Sequence, residues 1–291
     1  MTHIPANSAA TSSAPASAAA SPATADATTR VLPRLSTATT GDAHGPGILL
    51  AHGATGSIER NFSPLIPVLT ASGHRVVAPD YPGSGRTPRA TAPLTLDALA
   101  DALVAEAEAA GLETFTLIGF SLGTAVSVRA AARHPDRVRG LVLTSALARP
   151  DRRLDLWLAL WLRLLAEGDD TGFAQAGALG SLSPEYLNAL SPKELDAVLD
   201  PSPGLRPPGS AEQAALVGTV DTTADLPQLA VPTLVIATTR DQLLHPSLSR
   251  YVADHIPGAA YAEIATGHVP MVERPTEWVG LITDFLAAHG L

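Results

Sequence analysis

The chain of 291 residues contains no cysteine. Disulfides, thiolate metal sites, iron–sulfur ligation and a cysteine nucleophile are therefore excluded, while the redox compartment is left open. Aromatic residues make up only 4% and Lys193 is the single lysine, a skew toward Ala, Arg, Gly and Pro that carries no chemistry of its own. Positive charge is also scarce: nineteen Lys+Arg against twenty-eight Asp+Glu give a net charge of −9, the wrong sign for neutralising phosphates. No nucleic-acid partner is expected. No run approaches the roughly 20 apolar residues of a membrane span, so no membrane partner is expected either. Length is not lacking, and an ample core can form without a metal or disulfide staple.

Residues 1–30 differ in kind from the rest. Twenty-four of the thirty are Ala, Ser, Thr or Pro, a composition that cannot bury enough apolar surface to offset its ordering entropy. A secretory signal needs a basic start and an apolar stretch of roughly 7–15 residues, and neither is present. The segment reads as a disordered tail on a soluble, cytoplasmic protein.

From Val31 onward, short aliphatic runs (Ile48–Ala51, Val76–Ala78, Phe115–Ile118, Leu141–Leu143, Leu234–Ala237) alternate with amphipathic stretches. Continuous apolarity suits strands covered on both faces. Between the second and third runs, Leu96, Leu99, Ala100, Leu103, Val104 and Ala107 recur at helical spacing behind Thr95 as N-cap, with Gly111 as the stop. The repetition predicts an α/β fold, a mainly parallel, doubly wound sheet with helices on both faces. A hairpin ahead of the first parallel strand is hardly recognisable in Val31–Gly47.

Between Ser145 and Leu226 the rhythm breaks into helical pattern alone, ending in Pro201–Gly209, where six of nine residues are Pro or Gly. A helical insertion with such a hinge reads as a lid over the C-terminal edge of the sheet, where open α/β sheets bind ligands. Its first helix, Arg152–Ala166, is apolar around most of its circumference, so part of it is expected to face a pocket or a second protomer. Trp157 and Trp161, one turn apart, are candidate pocket residues together with His245 and Val269. The expected substrate is a small to medium, apolar or partly aromatic molecule, and the expected assembly a monomer or homodimer.

The most specific local signal is Gly119-Phe120-Ser121-Leu122-Gly123, between a predicted strand and a predicted helix. So tight a turn needs small residues two before and two after Ser121, and it lifts the hydroxyl clear of the sheet. A serine hydroxyl is a poor nucleophile near neutral pH, so a base and an orienting acid are required. His268 lies in a loop after the last predicted strand, Tyr261–Ile264, and Asp241 directly follows Thr233–Thr238. A parallel sheet would gather all three on one edge. Asp80 is a rival acid but reads as bonding local N–H groups of its Gly-rich turn, and Asp151 reads as a helix start. His134 and His255 fall near helix ends and read as structural, while His3, His44, His74 and His289 read as exposed. No His or carboxylate pair stands at ligand spacing with a third partner. Neither metal nor cofactor is expected.

From about Ile48 to the C-terminus the chain resembles the α/β hydrolase fold superfamily, in its lidded serine esterase, lactonase and C–C-hydrolase form. The resemblance rests on His52-Gly53, Asp80-Tyr81-Pro82-Gly83-Ser84-Gly85, the Ser121 turn, His134-Pro135-Asp136-Arg137-Val138, Asp241 and Gly267-His268. It implies a core of residues 31–147 and 210–291 with a lid of 148–209. It also implies Ser121 as nucleophile, His268 as base, Asp241 as its orienting acid, the backbone N–H groups of Ala54 and Leu122 as oxyanion hole, and His52 and Gly53 as support for the oxyanion loop. The implied reaction is hydrolysis of an ester, thioester or lactone through an acyl-enzyme. The same residues would also serve a C–C bond hydrolase, an acyltransferase or cyclase, a cofactor-free perhydrolase, or a binding protein that retains the triad without turnover.

Overall fold

In the computed structural model, which describes residues 32–200, 202 and 206–291, the buried runs become the strands of one seven-stranded sheet. The tail of residues 1–30 and part of the Pro/Gly hinge lie outside the described residues. The core opens with β1 (Ser36–Gly41), β2 (Gly47–Ala51), short helices α1 (Ile58–Phe62) and α2 (Ile66–Ala71), and β3 (Arg75–Asp80). It continues with α3 (Leu96–Ala109), β4 (Phe115–Phe120), α4 (Leu122–Arg133) and β5 (Val138–Thr144). Helices α5 (Arg152–Glu167), α6 (Asp170–Ser181), α7 (Pro184–Ala189), α8 (Pro192–Val198) and α9 (Ser210–Val217) follow with no strand among the described residues. The chain then returns through β6 (Thr233–Thr238), α10 (Pro246–His255), β7 (Ala260–Ile264), α11 (Pro270–Glu273) and α12 (Pro275–His289).

Strand order is β1-β3-β2-β4-β5-β6-β7, parallel except for β1. Every residue of β4 is buried, as a central strand between two helical layers requires. One layer packs Leu99, Leu103 and Val126 of α3 and α4 on the sheet. The other packs Phe62, Leu69, Trp278 and Ile282 of α1, α2 and α12. Because the chain steps outward from β2 to β3 and then back across to β4, a crevice opens beyond the C-terminal ends of β2 and β4.

Three readings of the sequence differ from the structure, and one boundary has contacts on both sides. A strand does precede Ile48: β1 pairs antiparallel with β3 from Ser36↔Asp80 to Gly41↔Arg75. Its sequence, Ser-Thr-Ala-Thr-Thr-Gly, has no aliphatic alternation because it is a largely exposed edge whose backbone ladder holds it. The first helix of the insertion is one-sided: Leu154, Leu158, Trp161 and Leu164 form the buried stripe of α5 and Leu156 is 73% exposed. The boundary at residue 210 falls in a seam, since α9 packs against α5 while Gln213 bonds the loops that follow β2 and β3. His74 is buried, its Nδ1 against the Leu69 carbonyl and its Nε2 against a Leu291 oxygen.

Candidate active site

The turn after β4 forces its first residue into a conformation that side chains avoid. Ser121 has φ +53° and ψ −120°, at a cost of roughly 1–3 kcal/mol that the surrounding packing must offset. Its N–H donates to the Thr144 carbonyl of β5 at 3.0 Å, and its own carbonyl accepts from Thr124 N at 2.9 Å and Thr124 Oγ1 at 2.7 Å. Both flanking glycines are required by space. A Cβ on Gly123 would lie 1.9 Å from the Ala51 carbonyl oxygen, and one on Gly119 would lie 2.5 Å from that of Gly123. Helix α4 can therefore start directly against β2, with Ser121 at its N-terminus.

The C-terminal ends of β6 and β7 deliver the other two groups. His268 Nε2 lies 3.0 Å from Ser121 Oγ, and His268 Nδ1 lies 2.7 Å from Asp241 Oδ2. Asp241 is itself fixed: Oδ1 accepts the N–H groups of Leu243 and Leu244, each at 2.8 Å, and Oδ2 accepts the Thr238 hydroxyl at 3.1 Å. All three residues are buried, with Ser121 8% exposed. Since Asp241 accepts, Nδ1 carries the proton and Nε2 is free to accept from the serine hydroxyl. Phe120 packs on the His268 ring at 4.9 Å.

The rival acids are engaged elsewhere. Asp151 caps α5, accepting from Leu154 N at 2.8 Å. The Asp80 carboxylate accepts from Ile58 N at 2.9 Å rather than from N–H groups of its own turn, and burial, outweighing that bond, raises its pKa. His134 Nε2 meets Asp101 at 2.8 Å, and His255 Nδ1 meets the Tyr251 carbonyl.

The loop from His52 to Gly56 is pinned group by group. His52 Nδ1–H donates to the Gly53 carbonyl at 2.8 Å and Nε2 accepts Tyr81 N–H at 2.9 Å. These two bonds select one neutral tautomer, and full burial pushes the His52 pKa down to about 4. The 3.9 Å separation of His52 Nε2 from Asp80 Oδ1 is accordingly no ion pair. Tyr81 stacks on the His52 ring at 3.9 Å, and burial raises its phenol pKa. Gly53 N–H goes to Asn61 Oδ1, Thr55 N–H to Gln213 Oε1, and Gly56 N–H to the Gly53 carbonyl. The N–H of Ala54 has no acceptor among the described residues. Nor has that of Leu122, the first residue of α4, where a helix leaves its N–H groups unpaired.

A cavity of about 510 Å³ meets these groups, lined by Ala54, Phe120, Ser121 and His268 on the sheet side and by Leu158, Trp161 and Phe173 on the helical side. Val269 also lines it. Farther out on its wall, Arg206 pairs with Asp170 at 2.7 Å. Two expected pocket residues are elsewhere. Trp157 packs over Gly180, edge-on to Trp161; the two share one face of α5, and α6 covers the turn that carries Trp157. His245 is exposed and caps α10. A second cavity, about 560 Å³, opens at the opposite ends of the strands near Gly47, Thr114 and Arg139, far from the serine turn. Among the described residues no cluster of His, Asp or Glu could hold a metal ion, and no helix is long and apolar enough to cross a membrane.

Three residues here left no trace in the sequence pattern. Asn61 and Gln213 hold the loop after β2. Glu273 accepts from Gly267 N at 3.1 Å and from Ser183 N and Oγ at 2.8 and 2.6 Å, tying the His268 loop to the α6–α7 junction. Their partners lie up to 158 positions away, so only the fold could reveal them.

The alpha/beta hydrolase fold family model matches residues 46–275. A pyrrolizixenacetamide deacetylase of Xenorhabdus hominickii is 35% identical over 250 residues, covering 85% of this chain and 93% of that protein. A pimeloyl acyl-carrier protein methyl ester esterase of Neisseria meningitidis is 27% identical over 264 residues, covering 82% of this chain and 93% of its own. Among solved structures, the enol-lactonase of Burkholderia xenovorans LB400 superposes with a TM-score of 0.78 at 25% identity, covering 87% of this chain and 96% of that one. With the family model spanning most of its length and hydrolases among its relatives, the chain belongs to the α/β hydrolase fold family and is a hydrolase enzyme.

Proposed function

We propose that the protein is a serine hydrolase that cleaves a carboxylic ester, thioester or lactone of a small to medium apolar substrate through an acyl-enzyme. The continuous chain of bonds from Ser121 Oγ through His268 to Asp241 carries this reading. Ser121 Oγ attacks the carbonyl carbon as His268 Nε2 takes its proton; Asp241 holds the imidazole in the Nδ1–H tautomer and stabilises the imidazolium that forms. The negative charge developing on the carbonyl oxygen is met by the Ala54 and Leu122 N–H groups, with the N-terminus of α4 behind them. The imidazolium returns its proton to the leaving group, and water releases the acyl group by the same steps in reverse. Helices α5 to α8 serve as the lid, and Trp161 and Phe173 supply the apolar wall that selects the substrate.

A second reading has its own support. The Xenorhabdus relative is named for removing an acetyl group from an amide, and the same triad attacks an amide carbonyl when the leaving nitrogen can be protonated by His268. Both readings share one test. Wild type and Ser121→Ala are assayed against a chromogenic acetate ester and an aryl acetamide, and labelled with a fluorophosphonate. Wild type is expected to turn over the ester and take the label, while the variant stays folded and does neither. Full turnover by Ser121→Ala overturns the mechanism.

A further inference from the structure

Gln213 is a fully buried polar side chain on α9, far in sequence from every group in the proposed mechanism. Its Oε1 accepts Thr55 N–H at 2.9 Å, and its Nε2 donates to the Pro82 carbonyl at 3.1 Å and to Ser84 Oγ at 2.9 Å. Ser84 Oγ in turn donates to the Gly56 carbonyl at 2.7 Å. Both ends of the amide are thus spent on the two loops that follow β2 and β3, with three of its four hydrogen-bonding positions filled.

The residue it grips is strained. Thr55 has φ +59°, a left-handed conformation that a β-branched side chain avoids. Thr55 is the third residue of a turn closed by Gly56 N–H on the Gly53 carbonyl at 3.3 Å, a position that takes positive φ and would suit glycine, and Gln213 holds the central peptide of that turn. Thr55 N–H belongs to the peptide that begins at the Ala54 carbonyl carbon and Ala54 N–H to the peptide before it, so holding the first restrains the Ala54 φ and ψ that relate the two planes. Asn61 holds Gly53 N–H from the other side at 3.0 Å. Ala54 N–H lies between these two clamps and is left without an acceptor among the described residues.

We propose that Gln213 is a positioning residue for the oxyanion hole: by holding the Ala54–Thr55 peptide of the Gly53–Gly56 turn it keeps Ala54 N–H aimed at the oxygen that becomes charged in the transition state. The proposal rests on the assignment of Ala54 to the oxyanion hole made above. It gives α9 a part in catalysis without touching substrate, and it couples the helical segment to the catalytic loop, since α9 also packs against α5.

The test compares p-nitrophenyl acetate with its thiono analogue, whose sulfur is a poor acceptor and draws little from an oxyanion hole. Wild type is expected to prefer the oxo-ester strongly. Losing one oxyanion donor lowers kcat by about 10²–10³, so Gln213→Met, which displaces a donor without deleting it, is expected to lower oxo-ester kcat by about 10–100-fold. KM should change little, the thiono rate should barely move, and the oxo/thiono ratio should collapse by the same factor. Adding Thr55→Gly, which adopts positive φ freely, is expected to restore part of that ratio. If Gln213→Met does not fold, Gln213→Asn, which keeps the amide but withdraws it by one methylene, is read by the same criteria. Equal loss on both substrates, or no recovery with Thr55→Gly, overturns the inference while leaving the proposed function intact. A wild type that hydrolyses esters but shows no oxo preference overturns the oxyanion assignment and the inference with it.

Discussion

Burial of His52 makes a quantitative claim about stability against pH. Its folded pKa is pushed from 6.5 down to about 4, so between those values the unfolded chain binds a proton that the folded protein does not. Stability therefore rises with pH across this window: it is fully retained above pH 6.5 and is lost as pH falls toward 4. A shift of about 2.5 units at 1.36 kcal/mol per unit gives a total loss of roughly 3 kcal/mol, of which about 2 kcal/mol is gone by pH 5. Because the side chain is 0% exposed, solvent screening does not discount the figure. Asp80 opposes this trend, since a carboxyl whose pKa is raised by folding is stabilising on acidification. The contribution of His52 is therefore read as a difference between wild type and His52→Gln, which cannot titrate but keeps an acceptor for Tyr81 N–H. Urea unfolding of both proteins at about pH 8, 6.5, 5.5 and 5 supplies the values. The variant is expected to be less stable than wild type at pH 8, and the gap to shrink by about 2 kcal/mol by pH 5. A gap that stays constant, or widens in acid, refutes the buried neutral imidazole and with it the tautomer assigned from Gly53 and Tyr81.

Two further outcomes separate pocket from scaffold. Trp161 lines the cavity and Trp157 does not, so Trp161→Ala is expected to raise KM for an aromatic acyl ester by about 10-fold or more, the equivalent of roughly 1.4 kcal/mol, with little effect on an acetate ester. Trp157→Ala is expected to lower the melting temperature and leave the KM ratio of the two esters unchanged; steady-state kinetics on both variants distinguishes the roles, and a reversed pattern refutes the placement. Gly123→Ala would set a Cβ 1.9 Å from the Ala51 backbone oxygen, so at least about 3 kcal/mol of destabilisation is expected, visible as aggregation on expression or a large fall in urea midpoint. Near-native stability in that variant would mean that α4 and β2 can separate without cost.

The order Ser121, Asp241, His268, each just past an apolar run, was legible because a parallel sheet converts the period of the chain into position: strand ends fall on one edge wherever they lie in sequence. Steric demand made Gly119 and Gly123 legible for the same reason, since close approach of backbones leaves glycine at fixed offsets from the serine. Edge strand β1 was not legible, because a ladder exposed to water has no need of apolar alternation. His74 was misread as exposed because its burial comes from α2 and the chain end packing around it, not from its neighbours in sequence. Trp157 and Trp161 were indistinguishable on composition and share one face of α5; which of them meets the cavity depends on what packs against each turn of that helix, Gly180 of α6 in the case of Trp157. Asn61, Gln213 and Glu273 are single polar residues in unremarkable surroundings, and their significance lies in partners brought near by folding. The sequence by itself determined the chemistry on offer: with cysteine absent, a serine hydroxyl on a strand-to-helix turn flanked by Gly119 and Gly123. Only the tertiary structure decided which side chains hold that chemistry in place, because hydrogen bonds across more than a hundred residues are set by where helices and loops pack, and local pattern carries no record of that.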